Sequence, residues 1–300
     1  MKKKVMKEST AWQIGAHTVM IIGSLLAILP FILLVIASFT DNQTALVNGY
    51  SFTPEKWSLE AYQYIASEWA TIGRAYLMTI LVTVIGTALS LVITSTFAFV
   101  VSNDKLPGHK ILMFLCIFTM LFNGGLVASY YVYSNIFHIK NTIWALIVPT
   151  FLMSPFNVVL VKNYFSNSIS PSILEAARMD GAGVFAVFTK IVMPLSVPIM
   201  ATVGLMTAIG YWNDWTNGLY YLTENGGSQY YTIQLVLNRI NENINFLANN
   251  SDVAAKAAQQ LPSTTMRMAI AVIGILPIMC AYPFFQKYFV KGITLGGVKE

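Results

Sequence analysis

The stretch that decides the fold is SPSILEAARMDGAGVFAVFTKIVMPLSVP, which occupies residues 170–198. It opens with two helix-start signals: Ser170 is a good N-terminal cap, and Pro171 suits the first helical position, where an N–H has no partner in any case. The residues that follow favour helix over 171–180. Gly181 fits the position at which a helix ends in a left-handed residue. The sequence therefore predicts a short helix that ends in a glycine turn.

A second helical stretch is predicted from about residue 183 onward. Its apolar residues Phe185, Phe188 and Ile191 recur every three positions, which predicts one apolar face. Pro194 then marks the entry into a longer apolar run. We expect the two helices and their glycine turn to lie at the inner surface of a membrane.

The residues alone leave a second interpretation of this hairpin open. Any amphipathic helical pair at a membrane interface fits the same pattern. Glu175 and Asp180 are then ordinary solvated charges, and Glu175 pairs with Arg178 three positions later, a contact worth only about 0.2–0.5 kcal/mol.

The composition places the hairpin in an integral membrane protein. Of the 300 residues, 56% are hydrophobic and 10% are charged, and the mean hydropathy is +0.61. Soluble domains carry about 25% charged residues. The charged residues of this chain are too few to cover the surface of a soluble protein of its size. The composition excludes disorder, a disulfide-built secreted module and most soluble enzymes.

A spanning helix needs roughly 20 mostly apolar residues. Six charge-free stretches are long enough, at 18–40, 75–101, 111–137, 142–161, 191–213 and 268–286. The sequence therefore predicts an all-α integral membrane protein with six transmembrane helices. The predicted helices are 18–40, 75–101, 111–133, 142–161, 195–213 and 267–289.

The basic residues predict the orientation. With the N-terminus inside, 12 of the 18 Lys and Arg residues fall in inner segments, as the positive-inside rule requires. Six spans then place both termini in the cytoplasm of a multi-pass protein. We interpret the formal net charge of +5 as a topology signal rather than a nucleic-acid-binding surface.

A set of residues in the hairpin resembles the EAA loop of binding-protein-dependent ABC importer permeases. The matching residues are Glu175-Ala176-Ala177, Asp180-Gly181-Ala182, Phe188, Ile191, Pro194-Leu195 and Pro198. The resemblance implies the type I ABC importer (MetI-like) permease fold. It also implies that the loop docks on the ATP-binding subunits as a coupling helix. The residues it assigns to this coupling are Glu175, Ala176, Ala177, Asp180, Gly181, Ala182 and Phe188.

The same resemblance divides the chain into segments. It implies a transport core over 75–290, and the basic-residue count adds a cytoplasmic N-terminus at 1–17 and a cytoplasmic tail at 290–300. Within the core, an EAA loop at 162–194 separates the fourth and fifth spans, and an external loop at 214–266 precedes the sixth.

Other motifs resemble the carbohydrate branch of these permeases, of the maltose-transporter second-permease type. They are Phe122-Asn123-Gly124-Gly125-Leu126, Asn141-Thr142-Ile143-Trp144-Ala145-Leu146 with Pro149, Tyr211-Trp212-Asn213-Asp214-Trp215 and the run from Tyr282 to Gly292. Ala128 departs from the pattern, where proline is expected. The resemblance implies import of oligosaccharides from complex glycans into a bacterial cell, across its plasma or inner membrane.

The expected partners also follow from this resemblance. The chain has no Gly-x-x-x-x-Gly-Lys-Ser/Thr loop, so it lacks a phosphate cradle of its own. The resemblance implies two P-loop ATPase subunits that bind the ATP and Mg, so that no cofactor is expected in this chain. It further implies a homologous second permease subunit, an extracellular sugar-binding protein and surrounding lipid, but no nucleic acid.

Polar and aromatic residues within or beside the spans are the candidates for the substrate path. Buried polar groups are costly at membrane depth, so they line a cavity or pair with neighbouring helices. Sugars require hydrogen-bonding groups for their hydroxyls and aromatic faces for their C–H-rich sides. The candidates are Asn123, Tyr130, Tyr131, Asn157, Tyr211, Trp212 and Asn213, of which we expect at least two to line the path. The alternative is that the asparagines bond between helices and the aromatics form interface belts.

Two other function classes fit less well. An ion-coupled secondary transporter normally shows internal repeats and carboxylates inside its spans, and these spans hold none. A membrane-embedded enzyme needs a nucleophile or convergent acids, and we predict no catalytic residues. His17, His109 and His138 lie far apart in sequence without partner ligands, so we predict no metal site.

Overall fold

The computed structural model describes residues 10–249 and 263–297. Within these residues the chain is helical, and its only β-structure is an isolated bridge between Thr40 and Trp57. The predicted all-α class is confirmed. Residues 1–9, residues 250–262 of the predicted external loop and residues 298–300 of the predicted tail lie outside the described residues.

The helices run in chain order with short connections. They are α1 (Thr10–Ser38), α2 (Asn42–Asn48), α3 (Glu60–Ser67), α4 (Trp69–Val101), α5 (His109–Leu121), α6 (Gly125–Tyr131), α7 (Trp144–Ile147), α8 (Pro155–Ser168), α9 (Pro171–Met179), α10 (Val184–Val187), α11 (Met193–Leu195), α12 (Val197–Asn213), α13 (Thr216–Tyr221), α14 (Glu224–Gly227), α15 (Ile233–Asn249) and α16 (Ser263–Gly297). Two π-helical segments, Val132–Ile136 and Phe188–Val192, and a 3₁₀ turn, Ser228–Tyr230, complete them.

The chain divides into two compact units. The first contains α1 to α3 together with residues 240–249 and 263–275, and the second contains residues 69–239 and 276–297. In the first unit, Asp41 caps α2 through the backbone N–H of Thr44 and forms a 3.0 Å ion pair with Lys56. Phe39 stacks on Tyr62 with ring centroids 4.8 Å apart. These contacts fix the segment that follows the apolar helix α1.

The second unit is organised around α4, which packs against both α8 and α12. Small residues recur every four positions along one face of α4, where Gly86, Ser90, Thr94 and Ala98 are all buried. Small side chains on one stripe allow membrane helices to approach closely. A Cβ atom at position 86 would lie 2.5 Å from the ring of Tyr211, so only glycine fits there.

The helices agree only in part with the predicted spans. Among the described residues, two helices, Trp12–Ser38 and Trp69–Val101, are individually long and apolar enough to cross a membrane, or up to four spans if each of two bent pairs counts as one. The predicted total of six spans stays a prediction. The first two predicted spans each lie within one helix, apart from the last two residues of 18–40.

The predicted span 111–133 is not one straight helix. It breaks after α5, and the axis turns by 119° before α6 continues. The Asn123 side chain accepts a hydrogen bond from the N–H of Gly125 at 2.9 Å, and Gly125 has a φ of +82°. A side chain that bonds the backbone two residues ahead competes with the helix, and a left-handed glycine ends it.

The predicted span 142–161 is also wrong as a single helix. Residues 144–147 form only the short α7, residues 148–154 are irregular, and α8 starts at Pro155 and extends to Ser168. Pro149 lies in the break, and Thr150 adopts a φ of +69°, which is rare for a β-branched residue. The predicted fifth span, 195–213, bends by 79° at Ser196, between Pro194 and Pro198.

Candidate functional site

The predicted hairpin folds as two helices around a glycine turn. Pro171 occupies the first turn of α9, and Gly181 has a φ of +82°. The N–H of Gly181 bonds the carbonyl of Arg178 at 3.1 Å, and the N–H of Ala182 bonds that of Ala177 at 2.9 Å. These two bonds form a Schellman motif, which satisfies carbonyls at the end of α9. The glycine turn predicted from the sequence is therefore present.

Two local expectations for the hairpin are wrong. Ser170 stands at the cap position of α9, but its hydroxyl contacts that of Ser172 at 2.8 Å and makes no cap hydrogen bond. Phe185, Phe188 and Ile191 do not share one buried face, because the chain from 188 to 192 is π-helical and its angular period differs from that of an α-helix. Val187 and Val192 are buried instead, whereas Phe185 is 78% exposed.

One side of the hairpin is anchored in the second unit. Leu174 and Ala177 of α9, and Ala182 after the turn, pack against a buried apolar cluster. That cluster contains Ala98 of α4, Val161, Phe165 and Ile169 in and after α8, Val187 and Val192 of the hairpin, and Met200 and Val203 of α12. Phe188 packs on Phe99 of α4 with ring centroids 5.0 Å apart. The hairpin is thereby packed against residues of α4, α8 and α12.

The other side of the hairpin is an exposed apolar tip around Gly181. Met179, Val184 and Phe185 are 87%, 72% and 78% exposed. We call these three residues the hairpin tip. Glu175 and Asp180 are also exposed, and Glu175 lies 3.9 Å from the Lys105 ammonium. A cluster of large exposed apolar side chains is typical of a surface that contacts another protein or a membrane.

A cavity separates α9 from the turn that links α4 to α5. Its volume is about 240 Å³, and Asn103, Lys105, Leu174, Glu175 and Arg178 contribute to its walls. Apolar side chains, among them Phe99 and Phe165, complete the lining.

The irregular segment 148–154 is held by side chains from three other helices. The Tyr211 hydroxyl of α12 donates to the carbonyl of Ile147 at 2.8 Å, Ser90 of α4 donates to that of Phe151 at 3.1 Å, and Asn217 of α13 donates to that of Pro149 at 3.4 Å. Backbone carbonyls that leave a helix at membrane depth need such partners. These residues replace the helical bonds that the break removes.

Asp214 organises the segment after α12. Its carboxylate accepts hydrogen bonds from the N–H groups of Thr216 and Asn217 at 3.1 and 3.2 Å. Burial raises the pKa of Asp214, and the bonds from Asn217 and Thr216 act in the opposite direction. The carboxylate thereby caps the start of α13 and positions Asn217 for its contact with the irregular segment.

The seven predicted path residues are not brought together at one site. Asn157 is buried and donates to the Thr207 hydroxyl at 3.2 Å, and Tyr211 is buried in the contact described above. Asn123 bonds its own turn, while Tyr131 and Asn213 are exposed. For Asn157 and Tyr211 these contacts match the alternative, in which polar groups bond between helices.

Trp212 is the path candidate that faces an open cavity. The cavity measures about 520 Å³ and lies between α4, α12 and α16, where its walls are almost entirely apolar. Thr83 and Thr87 line it one helical turn apart on α4. An apolar cavity of this kind supplies few hydrogen-bonding groups for a sugar.

Sequence reasoning missed the grouping of three tyrosines around Lys140, although Tyr130 is one of the predicted path residues. Tyr130 stacks on Tyr221 with centroids 5.8 Å apart, and Tyr133 meets Tyr221 edge-on at 6.0 Å. The Lys140 ammonium donates to the Tyr130 hydroxyl at 2.8 Å. Tyr221 and Lys140 lie 81 positions apart in sequence, so no local pattern indicates this grouping. Among the described residues, no group of three or more His, Cys, Asp or Glu side chains is arranged to hold a metal ion.

Known proteins resemble the chain over most of its length. Residues 88–295 match the family described as binding-protein-dependent transport system inner membrane component. The polygalacturonan/rhamnogalacturonan transport system permease protein YtcP of Bacillus subtilis is 37% identical, over 92% of this chain and 94% of that protein. Protein LplC of the same organism is 35% identical, over 91% of this chain and 90% of that protein.

A solved structure extends the likeness to three dimensions. A crystal structure of a bacterial ABC transporter involved in the import of the acidic polysaccharide alginate contains a chain that matches with a TM-score of 0.78 and 28% identity. The match covers 93% of this chain and 96% of that one. The resemblance stated from the sequence motifs is confirmed.

Proposed function

Because the chain belongs to the family of binding-protein-dependent transport system inner membrane components, we propose that it is the permease subunit of an ATP-driven importer of oligosaccharides derived from complex glycans. Membership of the family makes the chain an inner-membrane transport subunit that works with ATPase subunits, a binding protein and a second permease. Polysaccharide-related names recur among its relatives, which supports the substrate class.

The observation that carries the coupling part of this proposal is the hairpin tip. Its large apolar side chains are exposed next to a rigid Schellman turn, and the opposite side of the hairpin is packed into the core of the second unit. A surface of this kind supports docking on a partner from the cytoplasmic side. In this proposal, Glu175, Ala176, Asp180 and Gly181 lie on the docking side with the hairpin tip. Ala177, Ala182 and Phe188 connect the docking segment to the buried cluster and to α4.

The mechanism is alternating access between two conformations of paired permeases. ATP binding closes two P-loop ATPase subunits, and the docked α9 moves with them. Since α9 packs against an apolar cluster that contains residues of α4, α8 and α12, its displacement reorients these helices together. ATP shifts the equilibrium because it binds only one conformation tightly. Hydrolysis and release return the permease to the inward-facing state, which releases the sugar into the cytoplasm.

The chain itself takes no chemical part in this cycle. ATP and Mg are held by the partner subunits, and this subunit contributes binding surfaces and a path. We place both termini in the cytoplasm, which puts α9 on the side of the ATPase subunits. The long segment after α12 then lies outside, where it meets the sugar-loaded binding protein.

Uptake measurements with two energy sources test the proposal. Cells or membrane vesicles that carry the complete assembly are given labelled oligosaccharide. In one arm of the experiment ATP is depleted, and in the other an uncoupler collapses the ion gradients. We expect uptake to stop when ATP is depleted and to continue with the uncoupler while ATP is maintained. The opposite result contradicts the proposal and favours an ion-coupled secondary transporter.

A further inference from the structure

The outer tyrosine cluster, consisting of Tyr130, Tyr133, Lys140 and Tyr221, is built on a rigid frame. Lys140 precedes Asn141, whose φ is +58°. The N–H of Asn141 bonds the Tyr221 carbonyl at 3.0 Å. Its side-chain oxygen accepts from the Thr223 N–H at 2.7 Å. The turn that carries Lys140 is thereby tied to the end of α13.

Glycine is required on the other side of this turn. A Cβ atom at Gly227 would lie 2.7 Å from the Asn141 side-chain oxygen, and one at Gly226 would lie 2.9 Å from its nitrogen. The two glycines let the backbone approach Asn141 closely. Lys140 is therefore held in place before any ligand arrives, which reduces the entropy that binding costs.

No carboxylate of the described residues neutralises the charge of Lys140, whose ammonium lies 5.4 Å from the centroid of the Tyr130 ring. Its ammonium donates to the Tyr130 hydroxyl and retains two further N–H groups. Within residues 10–249 and 263–297, no carboxylate lies within ion-pair distance of it. Glu224, which follows Thr223, is already paired with Arg239 at 2.9 Å. A half-buried cation of this kind is stabilised by an anionic ligand.

The surrounding rings narrow the chemistry of that ligand. Tyr130 and Tyr221 are stacked almost parallel, at 11°, and Tyr133 stands at 87° to Tyr221. Tyr221 is buried, so the half-buried rings of Tyr130 and Tyr133 are the ones that a ligand can reach. Tyrosine rings pack against the C–H-rich faces of sugars, and their hydroxyls bond sugar hydroxyls. A lysine beside them adds a partner for a carboxylate. Together they fit a sugar ring that carries an acid group.

We propose that the outer tyrosine cluster binds the carboxylate of a uronate residue in the incoming oligosaccharide, with Lys140 as its ionic partner. This inference rests on the proposed function, and it specifies that the imported oligosaccharide contains sugar residues with a carboxylate. The relatives named for polygalacturonan and for the acidic polysaccharide alginate agree with it. Tyr130 positions the ammonium through its hydroxyl, and Tyr221 supports the ring of Tyr130.

Uptake of matched acidic and neutral sugars tests the site. The complete assembly with its binding protein is reconstituted in proteoliposomes and given trigalacturonate, trimannuronate, or the same trimers with each carboxyl reduced to an alcohol. We expect the wild type to import at least one acidic trimer. Lys140→Met should raise the half-saturating concentration of that trimer about tenfold and leave the neutral trimer unchanged, whereas Lys140→Arg stays near wild type. Lys56→Met, which removes another lysine of the predicted outer side, is the control and should change neither.

Each other outcome overturns the inference. An equal effect of Lys140→Met on acidic and neutral trimers makes Lys140 a structural residue, and no effect on either removes it from the path. If Lys140→Met abolishes the stimulation of ATPase activity by the sugar-free binding protein, the cluster is a docking surface for that protein instead. A wild-type assembly that imports only neutral trimers contradicts the acidic substrate class but leaves the proposed function standing. One that imports no sugar at all overturns both.

Discussion

The hydroxyl of Tyr211 donates a 2.8 Å hydrogen bond to the carbonyl oxygen of Ile147, across 64 positions of sequence. This bond joins α12 to the last residue of α7, where the helix gives way to the irregular segment 148–154. Tyr211 is 1% exposed, and its ring lies against Gly86 of α4. The break in the predicted fourth span is therefore a supported part of the fold.

Removing this hydroxyl should destabilise the protein. Tyr211→Phe keeps the ring but leaves the buried Ile147 carbonyl without its donor, which costs about 1–2 kcal/mol. Thermal unfolding of the purified protein in detergent measures the effect as a lower Tm. Tyr131→Phe, at a 60% exposed position, is the matched control and should leave the Tm unchanged. Equal Tm values for the two variants would contradict the role given to Tyr211.

The contact between Gly86 and Tyr211 gives a second stability prediction. Gly86→Ala places a methyl group where the Tyr211 ring stands, and overpacking of this kind costs about 1–3 kcal/mol. Gly23→Ala is the control, because nothing lies within 4 Å of a Cβ atom at that helical position. We expect a lower Tm for the first variant and an unchanged or slightly higher Tm for the second, since alanine favours helix. A reversed order would show that α4 and α12 do not pack as described.

The Asp41–Lys56 pair predicts a pH effect in the first unit. The hydrogen bond from Lys56 holds the pKa of Asp41 below its usual 3.8, against the opposing effect of burial. A depressed pKa means that the pair stabilises the fold above pH 3.8, and that this stability is lost as the pH falls through the lower folded-state value. Because Lys56 is mostly exposed, the contribution is about 0.2–1 kcal/mol.

Unfolding of the wild type and of Asp41→Asn across this acidic range checks the sign. The difference in stability between the two proteins should be largest at neutral pH and shrink as the pH falls below 3.8. A difference that grows on acidification is incompatible with the pair.

Two phenylalanines of the hairpin should behave differently. Phe188 packs on Phe99 but is only partly buried, so Phe188→Ala should cost about 3 kcal/mol in unfolding free energy, the low end for a phenylalanine. Phe185 belongs to the exposed hairpin tip, so Phe185→Ala should leave stability unchanged and weaken the attachment of the ATPase subunits. Tm and the amount of co-purified ATPase, measured on both variants, separate the two roles. Parallel changes in both quantities for Phe185→Ala would place this residue in the core instead.

Local signals predicted the hairpin well. Pro171 at the start of α9 and Gly181 at its end occupy the expected positions, because helix starts and left-handed turns depend on nearby residues. The phase of the second helix was wrong, since the π-helical segment 188–192 depends on how Val187 and Val192 pack against α4 and α8. The sequence carries no local sign of that packing.

The breaks in the spans were missed for a similar reason. Hydropathy averages over about 20 residues, so residues 148–154 count as part of an apolar run although they form no helix. The break is stable only because Ser90, Tyr211 and Asn217 supply donors from distant parts of the chain. Pro149 and Asn123 were the local hints, and both lie at or beside a break. Likewise, the pairing of Lys140 with Tyr130 and Tyr221 appears only once α13 returns to the turn at 138–143.

The central claim, that α9 is the docking element for ATPase subunits, is tested most directly by the same substitution at two neighbouring glycines. Gly181 has a φ of +82°, which valine rarely adopts, so Gly181→Val disrupts the Schellman turn. Gly183 has a φ of −68° and open space around it, so Gly183→Val leaves the turn intact.

The measurement is the amount of ATPase that co-purifies with a tagged permease from membranes, together with oligosaccharide uptake by the same cells. The account predicts that Gly181→Val inserts at the wild-type level but loses both ATPase and uptake, whereas Gly183→Val retains both. Wild-type uptake and full ATPase retention in Gly181→Val would contradict it.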